Sequence, residues 1–257
     1  MTGPDRDVEL VDAGRPGAYL LRIDGHDQSY VDLGDPTRLE FDYVRRMGDV
    51  LDAQGPAGQP LRAVHVGGAG LTLPRYVAAT RPGSVQVVLE PDERVTALVR
   101  ERLPWPRGDR IKVRATDGRT GLQQLRDGYA DVVVLDAYLR GQVPTDLVTS
   151  ECFAVVARVL DDEGWFLLNL SDRAPFAHTR RVVAGLRQHF PRLMLTAEPA
   201  TLRARRAGNL LVVAGAGDLP ADALRSRVAA SALPYRVLDD DGLRSSFGGG
   251  VPFPDQA

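Results

Sequence analysis

Glycines, a glutamate and two aspartates stand at four successive predicted strand ends of this sequence, and their residue types suit nucleoside binding followed by chemistry at carbon. Gly67, Gly68 and Gly70 lie in "AVHVGGAGLTLPRYVAA" (63–79), between a buried strand and a helix. Glycines there let the backbone approach a ligand and expose the helix N-terminus. Glu90 ends the next strand, where a carboxylate can accept both hydroxyls of a ribose. Together the turn and Glu90 point to an adenosine-type nucleoside. Asp117 and Gly118, in "ATDGR", end the third strand. Asp117 can accept from an adenine amino group, and equally it reads as a plain Asp-Gly turn. Asp136 ends "DVVVLDAY", where the ligand crevice of an open α/β sheet opens. After a run of apolar residues such an acid reads either as a strand terminator or as a catalytic group, and in the second case it would act as a general base on an incoming amine. The loop "YLRGQVPTD", with Tyr138 and Pro144, follows directly and can close over the site to exclude water.

The elements that must position these residues follow from the sequence pattern. Residues 7–34 read as β-rich, with "AYLLRIDG" and "QSYVDL" forming a hairpin about an Asp-Gly turn. A helix is expected from Asp35 as N-cap, with Pro36 in its first turn and Leu39, Tyr43, Met47 and Leu51 on one face. "GPAGQP" (55–60) is a breaker-rich linker. Beyond it strands and helices alternate, including a helix over "LVTSECFAVVARVLDDEG", a strand "GWFLLNL" and a last strand "GNLLVVAGAG". Such alternation implies an α/β fold with a doubly wound, Rossmann-like, mostly parallel sheet. A small N-terminal β-hairpin domain with its connecting helix (1–58) precedes the nucleoside-binding domain (59–257). The tail, 218–257, reads as a polar segment wrapping the surface.

Composition narrows the function classes. The formal net charge is −2 and hydrophobic residues make up 44% of the chain, an ordinary globular balance that favours neither nucleic acid nor an anionic membrane. No run approaches the roughly 20 apolar residues of a membrane helix. The opening "MTGPDRDVELVDAG" is polar and acidic, unlike a secretory signal, and a cytoplasmic protein is expected. Cys152 stands alone and reads as a small core residue rather than a nucleophile. The 4 histidines are scattered without metal-ligand spacing, so no metal is expected. A dehydrogenase is disfavoured, because Leu73 occupies the last glycine position of the dinucleotide fingerprint.

As a set, these segments resemble the spermidine synthase (polyamine aminopropyltransferase) family, within the class I methyltransferase-like fold. "LRIDGHDQSY" is similar to the family's N-terminal hairpin, "VHVGGAGLTLPR" to its glycine motif and "VVLEPDERV" to its ribose-binding strand. "ATDGR" is similar to its adenine-side Asp-Gly, and "VLDAYLRGQVPTDLVTSECF" to its catalytic Asp and gate loop. The resemblance implies that Gln28 contacts the nucleoside from the small domain and that Gly67, Gly68 and Gly70 form its turn. It also implies that Glu90 holds the ribose, that Asp117 with Gly118 meets the adenine, and that Asp136 deprotonates or orients the attacking amine. Decarboxylated S-adenosylmethionine is the implied aminopropyl donor, an amine the acceptor, polyamine biosynthesis the setting, and a homodimer the assembly.

The sequence also departs from the family pattern. "GGAGLT" lacks the acid that helps hold the donor's amine. The Tyr-His-Glu segment expected near "TRLEFDY" is not kept, and Leu139 stands where a second aspartate follows the first. Unpaired ammonium groups in a closed site cost several kcal/mol, about 3–5 when one partner is removed, so these losses argue against a diamine acceptor and also weigh against the decarboxylated donor. Carboxylates from Glu40, Asp42, Asp146 or Asp172 would restore a diamine site. Two other readings stand beside this one. A methyltransferase using intact S-adenosylmethionine would hold the donor carboxylate with Arg75 and the turn's N–H groups. A non-catalytic nucleoside-binding scaffold would associate through its N-terminal hairpin.

Overall fold

The computed structural model describes residues 6–139, 141–229 and 234–255, so Arg140 of the expected gate loop and parts of the tail and N-terminus lie outside the described residues. The chain divides into two compact units, one up to Gly118 and one from Arg119 onward.

The first unit opens with an antiparallel sheet of β1 (Val8–Asp12), β2 (Ala18–Ile23) and β3 (His26–Asp32). The β2–β3 turn falls on Asp24 and Gly25, both at positive φ, the backbone that tight hairpins demand. One bulge interrupts this pair: Leu21 faces Ser29 while Arg22 faces Asp27, which leaves Gln28 as the extra residue. A bulge re-aims the side chains beside it.

The helix expected from Asp35 begins later. Asp35 closes a local turn, accepting from the Thr37 amide at 3.1 Å and from its hydroxyl at 2.5 Å. No helix forms before Phe41, which is itself extended, and α1 spans Asp42–Asp52. Asp and Thr side chains compete with the helix for backbone partners, which accounts for the delay. Leu39 is buried from outside the helix, against Gly48 of α1, while Met47 and Leu51 are buried as expected.

Next come β4 (Arg62–Val66), α2 (Thr72–Thr80), β5 (Val85–Leu89), α3 (Glu93–Arg102) and β6 (Ile111–Arg114). The strands pair parallel in the order β4-β5-β6. Their buried residues are mostly apolar, as strands covered on both faces require, with His65 and Gln86 as a buried polar pair bonded to each other. α4 (Gly118–Gln123) starts where this unit ends.

The second unit contains β7 (Ala130–Leu135), α5 (Ser150–Val159), β8 (Leu160–Asp172), α6 (Ala177–Leu186), β9 (Arg192–Ala197), the short α7 (Pro199–Leu202) and β10 (Gly208–Gly215). α5 ends earlier than the sequence suggests: Leu160 is extended, and 160–164 begin β8. The acids at 161–163 would have faced the negative end of the helix dipole, which disfavours its continuation. β7 and β8 are parallel, whereas β10 runs antiparallel to both β8 and β9. The mostly parallel sheet expected from the sequence is found, parallel at β4–β5–β6 and β7–β8 and antiparallel at the β8–β10–β9 edge.

The tail is not a plain surface wrap. It folds into α8 (Ala221–Ala229), β11 (Arg236–Leu238), which pairs antiparallel with β9, and α9 (Asp240–Phe247). These elements are short and mix polar with apolar residues, and Leu224, Leu243 and Phe247 within them and Tyr235 just before β11 are buried. That is too sparse a pattern to read from periodicity. Only 248–255 lies as a strap. The Ser150 amide donates to the Phe253 carbonyl at 2.9 Å, and Arg119 pairs with Asp255. Among the described residues no helix is long and apolar enough to cross a membrane.

Candidate functional site

In the first unit the turn after β4 is bonded at every main-chain N–H from 67 to 71. Gly67 donates to the Leu89 carbonyl at 3.0 Å and Leu71 to the Gly68 carbonyl at 2.8 Å. The Gly68 and Ala69 amides both donate to Glu90 Oε2, at 3.0 and 3.1 Å. The Gly70 amide donates to Ser29 Oγ of β3 at 3.1 Å.

Glycine is required here for space as well as for angle. Gly67 has φ 92°. A Cβ on Gly68 would sit 2.8 Å from Val88 Cγ1, and one on Gly70 would sit 2.8 Å from both Ser29 Cβ and Val31 Cγ2. Ala69 and Leu71 also adopt positive φ, an uncommon conformation for residues with side chains. Strained backbone of this kind collects at ligand-holding turns.

Glu90 therefore lies beside the turn, as the pattern predicts, with its second oxygen accepting from the Asp92 amide at 2.9 Å. Gln28 is half-buried at the β3 bulge, next to the serine that bonds Gly70. Asp117 is exposed between β6 and α4, and Gly118 is buried as the first residue of α4. Arg75 departs from its expected role as a carboxylate clamp. Its guanidinium is buried and donates to the carbonyls of Gly70 (3.3 Å), Leu103 and Pro104 (3.2 Å). It also lies over the Trp105 ring. Burial pushes its pKa down to about 10. Three of its five N–H donors go to main-chain oxygens and the group is buried, so it ties the turn to the end of α3 rather than standing as a carboxylate clamp.

In the second unit, Asp136 follows β7 and is half-buried. Its Oδ1 accepts from Asn169 Nδ2 at 2.9 Å. Burial pushes its pKa up to about 6, against the opposing effect of that hydrogen bond. Such a group is mostly ionised at neutral pH yet basic enough to take a proton, which is what general-base catalysis requires. Tyr138 donates its hydroxyl to the Asn169 main-chain carbonyl at 3.1 Å, and burial raises its pKa. Asn169 Oδ1 in turn accepts from Asn209 Nδ2 at 3.1 Å.

Pro144 precedes a short 3-10 turn over Thr145–Leu147, and Leu139 is 53% exposed. Arg119 bonds the Asp146 carbonyl at 3.0 Å and Thr149 Oγ1 at 3.1 Å, tying the end of this loop to the C-terminal strap. Three of the four acids that would restore a diamine site have other partners. Glu40 pairs with Arg38 and Asp42 with Arg46. Asp172 accepts the Thr179 amide at 2.9 Å and its hydroxyl at 2.8 Å. Cys152 is buried in α5, with its thiol pushed up to about 12, so it is a core residue.

Sequence reasoning missed Ser29, Asn169 and Asn209. A buried asparagine in an apolar strand such as "WFLLNL" was the available signal, because a buried polar side chain needs a partner.

Comparison with known proteins follows the same lines. No family model and no curated protein matches the sequence. A probable spermidine synthase from Corynebacterium glutamicum matches in structure with TM-score 0.91 and 26% identity, covering 98% of this chain and 94% of that one. The spermidine synthase of Thermotoga maritima matches with TM-score 0.61 and 16% identity, over 94% of this chain and 80% of that one. Human methyltransferase-like protein 13, solved with SAH, matches with TM-score 0.53 and 24% identity over 68% of this chain and 80% of that one. The last two show likeness of fold alone. The chain has a spermidine synthase-like, class I methyltransferase fold of the α/β, Rossmann-like kind, with an antiparallel three-stranded sheet at its N-terminus.

Proposed function

We propose that this protein is an aminopropyltransferase-like enzyme that binds decarboxylated S-adenosylmethionine and transfers its aminopropyl group to an amine. Glu90 and the turn at Gly67, Gly68 and Gly70 hold the nucleoside, with Gln28 and the Asp117–Gly118 pair at its edges. Asp136 is the base, and Tyr138 and Pro144 belong to the loop that covers the acceptor. The small N-terminal domain (1–58) and a homodimer are carried over from the resemblance.

One observation carries the choice of donor. The turn's N–H groups from 67 to 71 are all engaged within the protein, and Arg75 is engaged with carbonyls. A donor carboxylate brought to this turn would find its N–H groups taken and would face the Glu90 carboxylate. A donor lacking that carboxylate avoids the repulsion. This favours aminopropyl transfer over methyl transfer from the intact compound.

In the step itself, the acceptor ammonium first gives a proton to Asp136. The freed amine lone pair attacks the propyl carbon bound to the sulfonium. A C–N bond forms and the C–S bond breaks, with its electrons going to sulfur to leave a neutral thioether. The half-buried, partly desolvated setting of Asp136 strengthens its hold on the ammonium.

Calorimetry with intact and decarboxylated donor side by side tests the reading. Tighter binding of the decarboxylated form, followed by detection of the thioether product with an amine, supports it. Preference for the intact donor identifies a methyltransferase, and binding of neither removes the enzyme.

A further inference from the structure

We propose that Asn169 is the positioning residue that orients the Asp136 carboxylate, and that Asn209 sets which end of the Asn169 amide faces it. The inference rests on the proposed role of Asp136 as base. Asn169 is fully buried in β8. On β10, Leu211 stands opposite Asn169 and Asn209 stands opposite Ser171, so the two amides are diagonal neighbours on one face of the antiparallel pair.

An asparagine offers a donor end and an acceptor end of the same shape. Asn209 Nδ2 lies 3.1 Å from Asn169 Oδ1, and a donor there requires the acceptor end of Asn169. That leaves Asn169 Nδ2 directed at Asp136 Oδ1, 2.9 Å away. Reversing the amide would set two NH2 groups against each other and a carbonyl oxygen against a carboxylate. Tyr138 locks the same segment from the main-chain side, and its proton goes to the Asn169 carbonyl, not to Asp136. The carboxylate is thus held through one oxygen while the other, Oδ2, is left for the acceptor's ammonium.

Burial and the Asn169 hydrogen bond are what act on the Asp136 titration; the neighbouring Tyr138 phenol is itself raised by burial and by the Asp136 charge, and Asn169 and Asn209 on β8 and β10 do not titrate. The hydrogen bond from Asn169 favours the ionised carboxylate. Removing it raises the pKa at which the base switches on.

Two variants test this, Asn169→Leu, which keeps the volume without the donor, and Asn209→Leu, which keeps the donor and releases its orientation. The readouts are carboxyl carbon NMR titration of Asp136, identified by its loss in Asp136→Asn, and the pH profile of transfer. In Asn169→Leu the Asp136 titration moves up by about one pH unit, with a smaller upward shift in Asn209→Leu. kcat falls by about tenfold or more while the KM for donor stays within about twofold. An Asp136 titration unchanged in the folded variants overturns the proposal. If Asn169→Leu does not fold, Asn209→Leu decides by the same titration. Wild-type protein without transfer activity would refute the proposed function, while the titration would still decide the role of Asn169.

Discussion

Glu90 Oε2 lies 3.0 Å from the main-chain nitrogen of Gly68, so the acid that ends β5 is bonded to the glycine that turns the chain out of β4. The same oxygen accepts from Ala69. One carboxylate thus holds the shape of the turn and supplies the negative charge beside it.

Replacing Glu90 separates these two roles. Glu90→Gln keeps the side-chain length and an oxygen for the Gly68 and Ala69 amides, but loses the acceptor for the Asp92 amide and the charge that the proposed function places beside the ribose. Donor affinity should fall by about tenfold or more, with a stability loss of about 0.5–1.5 kcal/mol. Glu90→Ala leaves three amides, those of Gly68, Ala69 and Asp92, without their acceptor and should cost more, about 1–3 kcal/mol of stability. Calorimetry and denaturant unfolding on both variants check the split.

Asp136→Asn should lose about a hundredfold or more of kcat with donor binding retained. In the wild type, kcat/KM should fall as pH drops below about 6, as the base becomes protonated. The same substitution should stabilise the fold. With a folded pKa of about 6 against about 3.9 for a free aspartate, the native state binds the proton more tightly than the unfolded chain. Keeping Asp136 ionised at neutral pH therefore costs stability, of order 1–3 kcal/mol, and this cost disappears as pH falls from about 6 toward 4. A higher melting temperature with lower activity at pH 7 is the expected signature.

His65 acts in the opposite direction. It is buried in β4, bonded through Nε2 to Gln86 Oε1 at 3.0 Å, and burial pushes its pKa down to about 4. The unfolded chain binds this proton more readily, so the stability His65 allows is complete above about pH 6.5 and is lost as pH falls toward 4. Because Asp136 opposes this trend over part of the same range, the loss should be steeper in Asp136→Asn than in wild type. Unfolding free energies measured from pH 7 to 4 in both backgrounds check the two signs.

Gly70→Ala should strain the junction of β3 and the turn. Its Cβ would fall 2.8 Å from Ser29 Cβ and Val31 Cγ2, both of them held in a paired strand. The expected cost is about 1–3 kcal/mol, with weaker donor binding as the turn is displaced. Ser29→Ala removes only the hydrogen bond to Gly70 and should cost less, about 0.5–1.5 kcal/mol. Equal losses in the two variants would contradict the close packing at Gly70.

Several features were decided by the sequence itself. The strand, glycine turn and helix over 62–80 follow from local pattern, as does the Asp-Gly turn between β2 and β3. So do Glu90 and Asp136 at strand ends, because strand and helix periods are short-range properties of the chain. The late start of α1 lay at the limit of that reading, since Asp35 fits a helix cap and a local turn equally well until the turn forms. Tertiary structure alone decided what each polar group faces. Asn169 meets Asp136 from 33 positions away and Asn209 from 40. Ser29 reaches Gly70 across 41, and Arg75 turns to carbonyls near 103 instead of a ligand. The tail's strand β11 exists because β9 offers it an edge. Such pairings depend on which strands lie side by side, and a hydrogen bond of a few ångströms leaves no trace in the spacing of the residues that make it.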